Sequence, residues 1–330
     1  MGTAVSLLVV NYRSAALALE AIRSARAATR NPLQVVVVDN SDEGDALRCA
    51  ADVYIASGRN AGYAAAINRG RRACDGEVIV AANPDVIFAG GALDELAGAN
   101  AAVAGPALFW DDAHEWILPP ADLQADTLAR ALATRLRTLA RRRDLRRFRA
   151  RIAFWSLTET TPVRALSGAV MAIRARAFDD AGGFDERFPL YFEENDFLRR
   201  VRGDVVYVPA ARVRHLYNQS AGASPDAAAL YAQSEAEYLR KWGGRWVKTL
   251  ERAPRVSDAP PFPGALDTPP GTLVEASPLP DFETAAGHFQ RSARTALPAE
   301  ILAAYRGAAL WLRVVRRDSG EVLARFRIVA

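Results

Sequence analysis

Asp85, Glu194 and His215 are the residues of this sequence whose types and settings best suit metal and proton chemistry. Asp85 ends the run Asn83-Pro84-Asp85 just past an apolar strand, where a carboxylate can hold a divalent cation against a departing nucleoside diphosphate. Pro84 fixes the turn and removes a backbone donor, so the carboxylate direction is narrowed. His215 closes a later strand, and its imidazole suits the same cation, with diphosphate oxygens as further ligands. Asp39, at the end of the second strand, is suited to accept hydrogen bonds from a base or ribose. Taken singly, each polar strand end is more simply a helix cap or turn residue.

A second group follows Gly182-Gly183-Phe184-Asp185-Glu186 and comprises Tyr191-Phe192-Glu193-Glu194-Asn195-Asp196. Acids at the mouth of a helix are favoured by its dipole, which explains Asp196 without any chemistry. Glu194, crowded by Glu193 and Asp196, is expected to have a raised pKa from like-charge repulsion and to act as a general base near neutral pH. Asp196 is the alternative base. Asn60, Gly62, Asn68 and Gly70 flank a helix start, where backbone N–H groups and missing side chains let a nucleotide approach closely.

These residues need strands and helices to bring them together. Val5 to Asn11, Gln34 to Asp39, Asp52 to Ala56, Glu77 to Asn83 and Ala101 to Gly105 read as strands. Ser14 to Ala28, Ala61 to Cys74 and Gly91 to Ala97 read as helices between them. Leu7-Leu8-Val9-Val10 and Val35-Val36-Val37-Val38 are apolar on both faces, as central strands of a parallel sheet covered by helices must be. The expected fold is therefore α/β with a doubly wound parallel sheet, and Asn11-Tyr12, Asp39-Asn40 and Asn83-Pro84-Asp85 fall at its carboxyl edge, where such sheets bind ligands.

Leu128 to Trp155 carries ten arginines against a single acid, Asp144. Leu128, Leu132, Leu136 and Leu139, then Leu145, Phe148, Ile152 and Trp155, form two helical stripes with a phase break near Arg141-Arg142-Arg143. This basic helical insertion, about 125–156, is expected to pack on its own domain or to contact an anionic membrane peripherally. Nucleic acid is not expected, because no aromatic interleaving accompanies the charge. Further on, a strand is expected over Ala169 to Ile173, a helix over Glu194 to Val201, strands over Val205 to Val208 and Val213 to His215, and a long helix over Asp226 to Trp242. Eight prolines between Pro254 and Pro280 mark a linker, and a short helix with a hairpin over Ala309 to Val329 completes a small α+β module.

The chain has 330 residues and a net charge of +4, with Lys241 and Lys248 its only lysines. That is length enough for one large α/β domain with an appendage. Two cysteines, Cys49 and Cys74, are too few for a disulfide framework and lack metal-ligand spacing. The first apolar run lacks a preceding basic region and no stretch is long enough to span a membrane, so a cytoplasmic location is expected, with peripheral attachment at the inner face of the membrane as the alternative. Met1-Gly2 with Ser6 and Asn218-Gln219-Ser220 match myristoylation and glycosylation patterns, to which no function is attached.

The ordered series Val10-Asn11-Tyr12, Val38-Asp39-Asn40-Ser41, Asn60-Ala61-Gly62-Tyr63, Asn68-Arg69-Gly70, Asn83-Pro84-Asp85-Val86, Ser167-Gly168-Ala169, Gly183-Phe184-Asp185-Glu186, Glu193-Glu194-Asn195-Asp196 and His215 resembles the inverting family 2 glycosyltransferases of GT-A fold. The nearest branch is the rhamnosyltransferase-like and galactofuranosyltransferase-like one, and the resemblance spans about residues 4–220. It implies a nucleotide-binding set of Asn11, Tyr12, Asp39, Asn60, Asn68 and Asn83, a Mg²⁺ or Mn²⁺ site at Asp85 and His215, and Glu194 as the base. Ser167, Gly168, Asp185 and Glu193 would then border the donor sugar and acceptor.

Two departures from the family pattern stand out. Its usual Asp-x-Asp is Asn83-Pro84-Asp85 here, leaving one carboxylate for the metal, and its usual Asp at the base position is Glu194. The implied donor is dTDP-rhamnose or a UDP-sugar, and the implied acceptor a glycan or lipid-linked saccharide in polysaccharide or cell-envelope biosynthesis. The expected division is a catalytic domain over 1–250, a linker over 251–280 and a small module over 281–330. A sugar-nucleotide pyrophosphorylase would want a glycine-rich basic loop after the first strand, and a degenerate scaffold subunit would have less need of Asp39, Asp85 and His215.

Overall fold

β-branched and leucine runs with no polar face form the central strands, and segments with one apolar stripe form the helices that cover them. The computed structural model describes residues 3–121, 127–216, 227–244, 259–305 and 308–329. The first elements are β1 (Val5–Asn11), α1 (Ala15–Ala27), β2 (Leu33–Asp39), α2 (Gly44–Ala50), β3 (Val53–Ala56), α3 (Tyr63–Arg71), β4 (Val78–Ala82) and β5 (Val86–Phe88). Next come α4 (Ala92–Gly98), β6 (Val103–Phe109), β7 (Trp116–Ile117), α5 (Thr127–Ala133), α6 (Arg137–Trp155), β8 (Thr161–Pro162) and β9 (Val170–Arg174). Then follow α7 (Ala175–Asp180), α8 (Glu193–Arg200), β10 (Val205–His215), α9 (Ala227–Trp242), β11 (Ala265–Asp267) and β12 (Thr272–Ser277). The last are β13 (Ala286–Phe289), β14 (Arg294–Ala296), α10 (Ala299–Ala304), β15 (Ala309–Arg316) and β16 (Val322–Val329).

The chain divides into two units, the first made of Met1–Leu108, Ala121–Leu123 and Thr158–Gly243. Its sheet runs β3-β2-β1-β4-β9-β6, with the first four strands parallel and β9 antiparallel to β4 and β6. The α/β class and the parallel strands are as expected, while β9 makes the sheet mixed. β1 leads through β2 to β3 on one side, and the chain then returns to place β4 on the other. The crevice between the carboxyl ends of β1 and β4 is thus a topological switch point, the usual ligand position in open α/β sheets. α3 lies tight against β1 and β2, because a Cβ on Gly70 would stand 2.3 Å from a Leu8 methyl and 2.9 Å from Val38.

The second unit comprises Phe109–Pro120, Gln124–Leu157 and Gly244–Ala330. β16, β15, β12, β13 and β7 form an antiparallel sheet in that order, and β11 pairs with β14. The apolar stripe of α6 packs on this sheet: Phe148 and Trp155 form a core with Leu273 and Val315, flanked by Leu145 and Ile152. A Cβ on Gly287 would lie 2.4 Å from the Trp155 ring, so the indole fits only because β13 has glycine there. Arg151 and Arg313, both buried, share the buried Glu275 at 2.6 Å each, and Arg313 also reaches Asp144.

Three expectations change here. The basic segment belongs with the C-terminal strands instead of being an insertion in a 1–250 domain, since its apolar stripe meets partners more than 100 residues later in the chain. The stretch 265–277 of the expected linker forms β11 and β12, with Pro269 and Pro270 in the turn between them. The break in the helical segment falls between α5 and α6, where Leu136 is extended, and not at Arg141-Arg143. Residues 251–258 of the linker, Met1-Gly2 and Asn218-Gln219-Ser220 lie outside the described residues.

Candidate active site

A cavity of about 320 Å³ opens at the switch point. Val10 and Tyr12 from the end of β1, Asn83-Pro84-Asp85 from the end of β4, and Ser167-Gly168-Ala169 ahead of β9 form part of its wall. Glu193 and Glu194 at the start of α8, and His215 at the end of β10, complete the chemistry-bearing set. The strand register explains this convergence. Asn83 N–H donates to Ala169 O (2.9 Å), so the Asn83 turn lies beside Ser167-Gly168. β10 runs antiparallel to β5 with His215 opposite Val86, and Leu216 N–H donates to Asp85 O (2.9 Å). His215 Nε2 therefore comes 3.5 Å from Asp85 Oδ1, with Asp85 almost wholly buried.

Adjacent ligands of a six-coordinate divalent cation stand roughly 3 Å apart, so this carboxylate–imidazole pair can share one ion with little movement. Among the described residues no group of three His, Cys, Asp or Glu side chains could hold a metal by itself. The donor set thus fits an ion completed by substrate oxygens and water. The cavity lining has three carboxylates and, among the described residues, no lysine or arginine.

Glu194 rests against Gly168, where an added Cβ would lie 3.3 Å from Glu194 Cγ. Asn195 Nδ2 donates to Glu194 Oε1 (3.1 Å), while the buried Oε2 has no hydrogen-bond partner among the described residues. Burial pushes the Glu194 carboxyl up to about 7, offset in part by the N–H groups at the α8 start. Glu193 is raised well above the ordinary carboxylate value by burial and then by the Glu194 charge. The upward shift of Glu194 is as expected but its cause is burial, because Asp196 faces elsewhere. Asp196 is buried with Lys241 Nζ at 2.6 Å, Arg200 Nε at 2.8 Å and Trp242 Nε1 at 2.9 Å. It holds α8 to α9, and it is absent from the cavity wall.

Residues 6–120 match the family described as glycosyl transferase family 2. This segment is a family 2 glycosyl transferase domain. Over 249 residues the chain is 28% identical to the N-acetylglucosaminyl-diphospho-decaprenol L-rhamnosyltransferase of Mycobacterium tuberculosis H37Rv, covering 64% of this chain and 75% of that enzyme. Among solved structures, GalNAc-T7 with UDP, GalNAc and Mn²⁺ is similar with a TM-score of 0.48 and 16% identity. That similarity covers 64% of this chain and 44% of the other, so the chain spans less than half of GalNAc-T7. The mannosyltransferase PcManGT of Pyrobaculum calidifontis, in complex with GDP-Man and Mn²⁺, gives 0.46 and 17%, covering 73% and 65% of the two chains.

Within the family 2 segment, Tyr12, Asn60, Asn83 and Asp85 line the cavity, whereas Asn11, Asp39 and Asn68 do not. Asn11 Nδ2 donates to Asp39 (3.0 Å), Ser41 (3.1 Å) and Glu43 (3.0 Å), binding the β1 and β2 ends together. Asp39 also accepts from Ser41 N–H and hydroxyl, Glu43 N–H and the Tyr54 hydroxyl, which fills both its oxygens. Burial raises its pKa, but these donors outweigh burial and hold it below the ordinary value. Asn68 donates to Phe184 O (2.8 Å) and Glu186 (2.9 Å) and accepts from Phe184 N–H (2.9 Å), fixing the Gly183 loop to α3.

Gly62 lines the cavity as well as making room for Pro189, whose O would stand 2.8 Å from an added Cβ, while Gly70 lies outside it against Leu8 and Val38. Of the expected sugar and acceptor residues, Ser167, Gly168 and Glu193 line the cavity, while Asp185 is paired with Arg187 (2.6 Å) and Lys241 (2.7 Å) outside it. Tyr63, Tyr191 and Leu230 also line the cavity and were not anticipated as site residues. Burial, then the charges of Glu193, Glu194 and Asp85, drive the Tyr63 phenol far upward, so it stays a neutral donor. Its place in Asn60-Ala61-Gly62-Tyr63 was a usable signal. Leu230 gave none, because it enters from α9 through tertiary packing.

Proposed function

We propose that this chain transfers a glycosyl group from a nucleoside-diphosphate sugar to an acceptor hydroxyl, with inversion at the anomeric carbon. One observation carries the reading: an Asp85–His215 pair and a carboxyl of raised pKa, Glu194, meet in one cavity at the switch point of a family 2 domain. The divalent cation that Asp85 and His215 would hold supplies positive charge against the departing diphosphate. The lining supports this need, since Asp85 faces the donor's diphosphate with no lysine or arginine among the described lining residues to offset the charge. Either Mg²⁺ or Mn²⁺ suits the pair.

Glu194 takes the proton of the acceptor hydroxyl as its oxygen bonds to the anomeric carbon, and the bond from that carbon to the diphosphate breaks on the opposite face. A base poised near 7 combines an ionised fraction with enough basicity to remove a hydroxyl proton. Asn195 orients Glu194 through Oε1, and Gly168 leaves room for the side chain. The upward shift of Glu193, from burial and then from the Glu194 charge, favours its protonated form and so limits a second adjacent charge. Tyr63, Tyr191, Tyr12 and Leu230 offer flat and apolar surface for the donor and acceptor.

The M. tuberculosis relative is an L-rhamnosyltransferase named for a decaprenol-linked saccharide, which agrees with a lipid-linked saccharide acceptor and with the dTDP-rhamnose donor that the motif series implies, a UDP-sugar being the alternative donor. A pyrophosphorylase is disfavoured by the cation-poor lining, and a scaffold subunit by the pairing of Asp85 with His215 beside a tuned Glu194. In transfer assays with a panel of nucleotide sugars, Asp85→Ala and Glu194→Gln are each expected to cut turnover by about a thousandfold with circular dichroism unchanged. Near-normal turnover in either variant overturns these roles.

A further inference from the structure

Tyr63 is the first residue of α3, and its surroundings fix where its ring stands. Asn60 Oδ1 accepts from Gly62 N–H (3.1 Å), Tyr63 N–H donates to Pro189 O (2.9 Å), and the ring centroid lies 6.4 Å from that of Phe184. Gly62 has φ 87°, and the Pro189 backbone fills the space a Cβ would need there, so the turn into Tyr63 is held tightly. One group is left over. The Tyr63 hydroxyl oxygen is buried and has no hydrogen-bond partner among the described residues, although a buried phenol normally finds one. Phenylalanine would fill the same space beside Phe184 without leaving a donor unpaired, so packing explains the ring and not the hydroxyl. Burial aside, the charges that act on this hydroxyl are Glu193 first, then Glu194 and Asp85, the three carboxylates of the cavity. Glu193 Oε2 is likewise buried without a partner among the described residues.

The next step rests on the glycosyl-transfer reading above. With the diphosphate on the Asp85–His215 side and the attacking hydroxyl at Glu194, the transferred sugar is the part of the donor that joins them. A group among all three carboxylates borders that sugar. A sugar hydroxyl both accepts and donates, so it can accept a hydrogen bond from Tyr63 and donate one to Glu193. We propose that Tyr63 is a specificity-determining residue whose hydroxyl donates a hydrogen bond to a hydroxyl group of the transferred sugar. A donor sugar lacking a hydroxyl at that position leaves the buried phenol unpaired and is rejected for that reason. The bare nucleoside diphosphate, which does not reach this part of the cavity, gains nothing from Tyr63.

Calorimetric titration of the full chain in the presence of Mn²⁺ separates the sugar from the diphosphate. dTDP, UDP, dTDP-rhamnose, dTDP-glucose, UDP-galactose and UDP-N-acetylglucosamine are titrated into the parent and into Tyr63→Phe, which keeps the ring and its packing. The variant should bind the parent's preferred nucleotide sugar about tenfold more weakly and the matching bare diphosphate as the parent does. Equal affinity of parent and variant for that nucleotide sugar, or equal weakening of nucleotide sugar and bare diphosphate, would overturn the proposal. So would a parent that binds a diphosphate and none of the nucleotide sugars, since Tyr63 would then have no sugar to read. Each of these results leaves the glycosyl-transfer reading standing, because that reading requires only Mn²⁺-dependent diphosphate binding by the parent. A parent that binds no diphosphate overturns both.

Discussion

Glu194 is where the chemistry of this chain is tuned. Burial raises its carboxyl to about 7, so the ionised base accumulates through that value and transfer should rise with pH up to it. The same shift has a stability consequence. Folding raises this pKa above the ordinary 4.5, so the native state keeps a proton that the unfolded chain releases, and stability falls as pH climbs from about 4.5 towards 7. Glu194→Gln should therefore raise the melting temperature over the parent at about pH 8 and change it little at about pH 5. Equal changes at both values would mean that Glu194 titrates like an exposed carboxylate. Asp196 provides the contrast. Its buried contacts with Lys241, Arg200 and Trp242 make Asp196→Asn a stability variant, costing about 3 kcal/mol in denaturant melts while the pH profile of transfer keeps its midpoint. These roles could be separated only by seeing which neighbours each acid faces: in the sequence, Glu194 and Asp196 are two acids of one helix start with like-charge crowding common to both.

The start of α8 holds Glu194 in place at some cost. Tyr191 and Phe192 both adopt left-handed backbone, φ 68° and 69°, which disfavours bulky residues by about 1–2 kcal/mol each. Packing offsets this: Phe192 is buried with Phe188 and Tyr238, and Tyr191 meets the Tyr231 ring edge-on. Across from this turn, Gly168 sets how far Glu194 can extend into the cavity. Gly168→Ala should lower turnover about tenfold or more with little change in melting temperature, because the new methyl displaces the base by a fraction of an ångström. A parent-like kcat in this variant would show that the position of Glu194 is not limiting. Most elements here were legible, since β1, β2 and β4 announce themselves by apolar runs and α1, α3 and α9 by their stripes. Partner choice was not. Nothing local in Val205–His215 says that its last three residues pair with β5, yet that pairing is what brings His215 to Asp85. Asn11, Asp39 and Asn68 show a related difficulty: side chains that knit strand ends and loops together have the same residue types as side chains that bind a nucleotide.

At the scale of the molecule, two units are each built around a separate core, and the second is assembled from distant parts of the chain. α6, β15 and β16 were legible as elements, whereas β11 and β12 fell in the expected linker, and their assembly into one unit was not legible because the Arg151–Glu275–Arg313 cluster joins positions more than 100 residues apart. Glu275→Ala leaves two buried guanidinium groups without their shared carboxylate and should cost about 3 kcal/mol or more, read by denaturant unfolding. An unchanged unfolding midpoint would show that the cluster does not hold this unit together. The proposed activity requires that Asp85 and His215 place a cation where a nucleoside diphosphate binds. Calorimetric titration of UDP and dTDP into the parent, Asp85→Asn and His215→Ala proteins, with and without Mn²⁺, addresses this directly. At least one diphosphate is expected to bind the parent with Mn²⁺ and to lose most of its affinity when the ion is chelated or either ligand is replaced. Equal affinity with and without the ion, or undiminished Mn²⁺-dependent binding in Asp85→Asn, would contradict it.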